Sequence, residues 1–353
     1  MAENGFRQQL RRYVSEHMAS HPGAGAEDAV KYVFQAMLGA GHLLPSREKA
    51  CALIQREMDG CAGNSQEEWT EPLGPFYCRL NLRRALAEGL TADAIAGLML
   101  TSQPETGFTR KDVYGFCRDL KDSGAAAFAE EDLRQICNDS WLPSHSEAYR
   151  EKYRPAYRVI PARWAPHLPA VISIARKQTE GKRLLITLDG PCASGKTTLA
   201  ENLAKVFHAS VVHTDDYVIP HAQKTPERLA VPGGNCDAER LWREVISPWK
   251  RGEKVIYRRY DCAGDCLLPP ETLPDCAALI AEGSYINLPI FRREADVRIF
   301  LDAPWETRLA RLQRRESPES LQRFFGKWIP LENAYFRAYH LPDEDMIKTE
   351  GTV

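Results

Sequence analysis

With 353 residues, the chain is longer than one hydrophobic core usually serves, so two domains are expected. Its 46 Lys and Arg balance 48 Asp and Glu to a net charge of -2. No basic arm or acidic tail stands out, which argues against nucleic acid or an anionic membrane as partner and for a small soluble one.

The opening MAENGFRQQLRRY lacks the apolar core of a signal peptide, and no run of eighteen or more apolar residues occurs, so a cytoplasmic chain is expected. Residues 6 to about 138 read as helices. Phe6, Leu10, Tyr13, Val14 and His17 fall at helical spacing, as do Val30, Val33, Phe34, Met37 and Leu38. Thr91 and Thr109 look like N-caps, the second with Asp112 three residues on. An all-α accessory domain over 1–140 follows, whose open roles are covering an acceptor site, dimerisation or effector binding. His42, beside apolar residues in GAGHLLPS, reads as a packing residue rather than a ligand.

From Trp141 to Pro169, five prolines break any helix, and Tyr149, Tyr153, Tyr157 and Trp164 interleave with charges. This is a linker or an extended strap, and so aromatic a segment is expected to pack on a surface. With a helix-compatible stretch at 168–180, it fills 141–180.

Over 181–353, apolar runs of strand length at Leu184–Leu188, Ser210–His213, Ala277–Ala281 and Val297–Leu301 alternate with helical stretches. An α/β domain is expected, with a parallel sheet covered on both faces. The ten cysteines are scattered without Cys-x-x-Cys spacing, so reduced thiols are expected; Cys262 and Cys266 form the closest pair and lack neighbouring ligands.

Gly190-Pro-Cys-Ala193-Ser194-Gly195-Lys196-Thr197 satisfies G-x-x-x-x-G-K-[ST], directly after RLLITLD and before TTLAENLAKVF. Strand, loop and helix in that order let successive N–H groups and a helix N-terminus face one anion. Lys196 would meet the β- and γ-phosphates of ATP, Thr197 would ligate Mg²⁺, and Thr198 would donate to a neighbouring phosphate.

Asp215, in HTDDY, falls at the end of the next strand, where open parallel sheets form their ligand crevice. It could take a proton from an attacking hydroxyl, help to hold Mg²⁺, or simply cap a helix. Glu282 ends the strand AALIAE and fits a metal-bridging or water-orienting role beside Lys196 and Thr197. Arg308, Arg311 and Arg315 share one helix face with Arg314 close by, and so many guanidiniums are comfortable together only around an anion such as polyphosphate.

Over roughly 182–345 these residues resemble the uridine kinase, phosphoribulokinase and pantothenate kinase group of P-loop kinases. GPCASGKTT is similar to that group's phosphate loop, HTDDYV to its strand-end Asp motif, PGGNCDAERL to its Asn-x-Asp acceptor segment and ETRLARLQRRE to its arginine lid. The resemblance implies a P-loop kinase fold with Asp215 as base and Asp237 as a contact to acceptor hydroxyls. Tyr257 and Tyr260 would face the rest of the acceptor, with Tyr217 nearby. Asp-Asp-Tyr stands where uridine kinases show Asp-Ser-Phe, and Cys262-Ala-Gly-Asp-Cys266 stands where they carry a Thr-His-Ser-Arg-like stretch. The first 150 residues lie outside the resemblance.

The expected activity is therefore phosphoryl transfer from ATP·Mg²⁺ to a hydroxyl of a nucleoside or similar sugar-bearing or polyol metabolite. A homo-oligomer stays open. The other reading is an ATP-sensing regulator whose helical domain binds a partner.

Overall fold

The computed structural model describes residues 3–40, 46–124, 130–138 and 141–351, so His42 lies outside the described residues. The chain forms two compact units, Met1–Ala165 and Pro166–Val353.

In the first unit, α1 (Glu3–Ser20) and α2 (Ala26–Leu38) arise where the apolar spacing places them, α5 (Ala92–Leu100) and α6 (Arg110–Asp122) follow the expected caps, and α3 (Arg47–Asp59) and α4 (Leu82–Ala87) lie between them. Phe6, Leu10 and Val14 of α1, Val33, Phe34 and Met37 of α2 and Phe116 and Leu120 of α6 form one apolar core. The Thr91 side chain accepts from Ala94 N, and Thr109 N donates to Asp112 Oδ2 at 2.7 Å, so both expected caps form.

The expectation of an all-helical first domain needs one correction. Strands β1 (Thr70–Pro72), β2 (Tyr77–Asn81) and β3 (Tyr157–Pro161) pair as an antiparallel sheet with β2 in the middle. Tyr77 through Leu80 are all buried, so β2 shows no alternation, and buried Arg79 breaks any apolar run. The aromatic segment expected as a linker or strap supplies α7 (Glu147–Tyr153) and then β3. Tyr149 and Trp164 are buried, and Trp164 Nε1 donates to Thr101 O at 3.2 Å.

In the second unit, α8 (Leu168–Gln178) leads into β4 (Leu184–Asp189), β5 (Ser210–His213), β6 (Ala278–Glu282), β7 (Val297–Asp302) and β8 (Ile347–Glu350). The strands form one parallel sheet in the order β8-β7-β4-β6-β5, with helices on both faces. Helix α8 packs on β4, β7 and β8, while α9 (Lys196–Phe207) packs on β4, β5 and β6. β4 and β6 are buried throughout, as strands covered on both faces must be. β8, with the sequence Ile-Lys-Thr-Glu, is a polar edge strand without an apolar signature.

Two helices after the sheet matter for the site, α10 (Trp305–Arg315) and α11 (Ile329–Ala338). Pro330 has no N–H for a regular helical bond to Gly326, and the chain enters α11 through a wider π turn at Phe324–Trp328. No helix among the described residues is long and apolar enough to cross a membrane.

Candidate active site

The parallel register brings three side chains to one end of the sheet. Glu282 lies opposite Leu188 on one side and His213 on the other, so the carboxyl ends of β4, β5 and β6 meet. Two glycines permit the close approach. A Cβ on Gly190 (φ +146°) would sit 2.0 Å from Leu301 O, and one on Gly283 (φ +125°) would sit 2.1 Å from Thr214 Oγ1.

The loop leaves β4 through Gly190, turns with Ala193 at φ 58°, and enters α9 through Gly195 at φ 106°. α9 starts with no side-chain cap, leaving its leading N–H groups for an anion. Ser194 is fully buried, and its Oγ has no hydrogen-bond partner among the described residues. An unsatisfied hydroxyl inside a cradle of backbone amides fits a polyphosphate ligand. Lys196 is buried and curls over the loop, its Nζ donating to Gly190 O at 2.8 Å and Pro191 O at 3.0 Å. Thr198 is exposed on the first turn of α9.

Beside Lys196, Thr197 Oγ1 donates to Glu282 Oε1 at 3.0 Å. That pair supplies two hard oxygen ligands, the donor set suited to Mg²⁺. His213 Nδ1 lies 2.5 Å from the same Oε1, and this hydrogen bond, outweighing desolvation, holds the imidazole above its ordinary value. Asp215 keeps access to solvent, yet most of its surroundings are protein. The lost hydration raises its carboxyl above the usual range, Lys196 pulls it down, and Glu282 and Glu332 push it up again.

The floor of the loop is a buried polar network that the motifs do not announce. Asp189, wholly buried, accepts from Gly190 N (2.8 Å), Asn287 Nδ2 (3.2 Å) and Tyr335 Oη (2.7 Å). Burial pushes its carboxyl up to about 6 against those hydrogen bonds. Asn287 in turn accepts from Arg298 Nε at 3.0 Å. Glu332 on α11 accepts from Cys192 N at 3.0 Å and from Ser284 Oγ at 2.5 Å.

The four arginines divide. Arg308 Nε donates to Cys192 O at 2.9 Å, and Arg311 Nη1 donates to Ala193 O (3.0 Å) and Ser194 O (2.8 Å), so both grip the outside of the loop. Arg314 is exposed, and Arg315 pairs with Glu316 at 2.6 Å. The expected single cluster is thus two residues on the loop and two facing solvent, because only the turn nearest the loop reaches its carbonyls.

The acceptor-side residues also divide. Asp237 caps the short helix Ala238–Leu241, accepting from Arg240 N at 3.2 Å, and its Oδ2 accepts from Arg240 Nε at 3.2 Å. The buried Arg240 guanidinium lies 4.2 Å from the centroid of the Tyr217 ring, so Asp237 and Tyr217 are held together. Tyr217 is fully buried with a hydroxyl that has no partner among the described residues. Tyr260 donates instead to Asp265, which also accepts from His221 N at 2.9 Å. Tyr257 Oη reaches Glu271 Oε2 at 3.4 Å. The hydroxyls of these two tyrosines therefore serve their own ribbons, Ile256–Tyr257 with Glu271–Thr272 and Tyr260–Asp261 with Cys266–Leu267. Cys262 and Cys266 are exposed free thiols, and no metal-binding cluster of His, Cys, Asp or Glu occurs among the described residues.

No family profile and no curated protein matches the chain. Solved structures match its C-terminal part with probability 1.00. One, described as a possible uridine kinase from Bacillus stearothermophilus, is 21% identical over 51% of this chain and 99% of its own, with a TM-score of 0.39. Another, described as a candidate fructose transport system kinase from Silicibacter sp. TM1040, is 28% identical over 45% of this chain and 80% of its own, with a TM-score of 0.32.

Proposed function

We propose that the second unit is an ATP-dependent kinase that phosphorylates a hydroxyl of a small metabolite, a nucleoside or a similar sugar-bearing or polyol compound. The observation that carries this reading is the contact of Thr197 Oγ1 with Glu282 Oε1 beside Lys196, with Asp215 in electrostatic reach of both.

Loop amides, Ser194 and Lys196 would hold the triphosphate, and Thr197 with Glu282 would hold Mg²⁺. When bound, Mg²⁺ neutralises charge on the phosphate oxygens. The chain's own part is to position and to move a proton. Asp215 accepts the proton of the acceptor hydroxyl as its oxygen bonds to the terminal phosphorus and ADP leaves with the old P–O pair. A carboxyl raised above its usual range is a better base for that step than an ordinary one. Asp237 and Tyr217 stand on the acceptor side, and Arg308 and Arg311 steady the loop from outside.

The test is to incubate the protein with ATP, Mg²⁺ and a pool of nucleosides, sugars and polyols, and to look for a new phosphomonoester. Lys196→Ala is expected to abolish turnover. Asp215→Asn is expected to keep nucleotide binding and lose transfer; near-normal transfer in that variant removes Asp215 as the base. Hydrolysis without any phosphomonoester would favour nucleotide sensing instead.

A further inference from the structure

The first unit buries a polar cluster that the phosphate loop does not use. Cross-strand register sets Glu71 on β1 opposite Arg79 on β2, and α2 presents Asp28, Tyr32 and Gln35 at steps of four and three residues. Arg79, 1% exposed, donates through Nη1 to Glu71 Oε2 (3.0 Å) and through Nε to Gln35 Oε1 (2.9 Å). Its guanidinium lies 4.9 Å from the Tyr32 ring and 4.5 Å from the Tyr157 ring.

His17, 4% exposed, holds the other oxygen of the same carboxylate, with Nδ1 2.7 Å from Glu71 Oε1, and packs on Tyr32 at 4.7 Å. The Tyr157 side of the cluster is closed by further bonds. Tyr157 Oη meets His145 Nε2 at 2.6 Å, and His145 Nδ1 meets Asp28 Oδ1 at 2.7 Å.

Two atoms of the cluster stay open. Arg79 Nη2 and His17 Nε2 are buried without a hydrogen-bond partner among the described residues. They belong to neighbouring groups, since both hold Glu71 and both pack on Tyr32. A buried ion pair with apolar alternatives is a weak stabiliser, and leaving a donor unmet beside it adds a further cost. Two such atoms together point to a ligand that meets both.

The required chemistry follows from their types. Arg79 Nη2 can only donate. A neutral ring that donates from Nδ1 to a carboxylate carries its lone pair on Nε2, which therefore accepts, and burial above all holds the His17 imidazole below its ordinary value. The surroundings favour an anion. Lys31 is driven down to about 8 by burial and then by Arg79 and Arg158, and a negative ligand would relieve that crowding.

We propose that the first unit binds a small 2-hydroxy monocarboxylate, with its carboxylate on Arg79 Nη2 and its hydroxyl donating to His17 Nε2. Both residues are nearly sealed, so entry goes through a local opening of the unit. The proposal does not depend on the kinase reading.

Calorimetry and thermal unfolding of the full chain test it, with lactate and glycolate as probes and with acetate, glycerol and inorganic phosphate as controls. The hydroxy acids are expected to raise the unfolding midpoint and to bind about tenfold or more tighter than acetate or glycerol, the worth of one buried hydrogen bond. His17→Asn keeps an N–H for Glu71 and lacks the Nε2 acceptor; it is expected to lose about tenfold in lactate binding with acetate unchanged. In the wild type, the His17 Nε2 nitrogen resonance should move with lactate and stay still with acetate, a readout that does not require the variant to fold. Lys196→Ala should bind lactate normally, which separates this result from failure of the kinase. An equal response to all probes, unchanged lactate binding in His17→Asn, or a lone water between the two atoms in a crystal grown at saturating lactate would overturn the proposal.

Discussion

Glu332 Oε2 accepts a hydrogen bond from the backbone N–H of Cys192 at 3.0 Å, fastening a carboxylate of α11 to the phosphate loop. Its other oxygen takes the Ser284 hydroxyl, so the segment after β6 and the loop after β4 are tied through one side chain. Glu332 also adds to the field that raises Asp215.

Glu332→Gln preserves the shape, removes the charge and leaves one of the two donors facing an amide nitrogen. A stability loss of about 1–3 kcal/mol is expected from the unmet buried group, read by denaturant unfolding. The Asp215 carboxyl should fall toward its usual range, so the acidic limb of the pH–rate profile moves to lower pH. A profile that stays in place would remove the electrostatic part of this argument.

Glu282→Gln tests the junction of Thr197 and His213. The hydrogen bond to Glu282 is the largest cause holding His213 above its ordinary value, so the variant's imidazole should titrate at lower pH. Proton NMR of the ring measures this directly. Nucleotide-supported activity should also require more Mg²⁺, because one oxygen ligand is lost.

Tyr335→Phe removes a donor from buried Asp189, one of the bonds that holds its carboxyl down. The folded carboxyl, at about 6, keeps its proton to higher pH than the unfolded one, so its contribution to stability is full below about 4 and falls as pH rises through about 6. Without the tyrosine that loss grows. Destabilisation of about 1–3 kcal/mol is expected at pH 7 and less at pH 5, measured by urea unfolding at both. An effect equal at the two pH values would count against the titration.

Arg311→Ala removes two bonds to loop carbonyls and should weaken nucleotide binding by about tenfold or more. Arg314→Ala, at an exposed position, should stay within about 0.5 kcal/mol of the wild type in stability. Calorimetry with nucleotide and thermal unfolding of the two variants make the comparison.

The phosphate loop and its strand–helix setting were legible because the chemistry sits in one contiguous segment whose glycines, lysine and threonine act through local backbone geometry. Three of the five parallel strands were legible for a related reason, since a strand covered on both faces must be apolar along its length, and the edge strand Ser210–His213 still carries the pair Val211 and Val212. The fifth, Ile347–Glu350, lies at the sheet edge and carries no such constraint. The sheet of the first unit stayed hidden because its central strand buries Arg79 and its third strand comes from far along the chain.

What the amino-acid order determined by itself was local: a loop able to face an anion, helices with apolar faces, and carboxylates at strand ends. Tertiary structure alone decided which distant side chains met that loop, because Glu332, Tyr335 and Asn287 are joined to it by packing and hydrogen bonds rather than by spacing. It also decided that Tyr257 and Tyr260 bond within their own ribbons and that Arg79 and His17 share one carboxylate. A hydrogen bond is fixed by a few ångströms of space, and sequence separation carries no record of that distance.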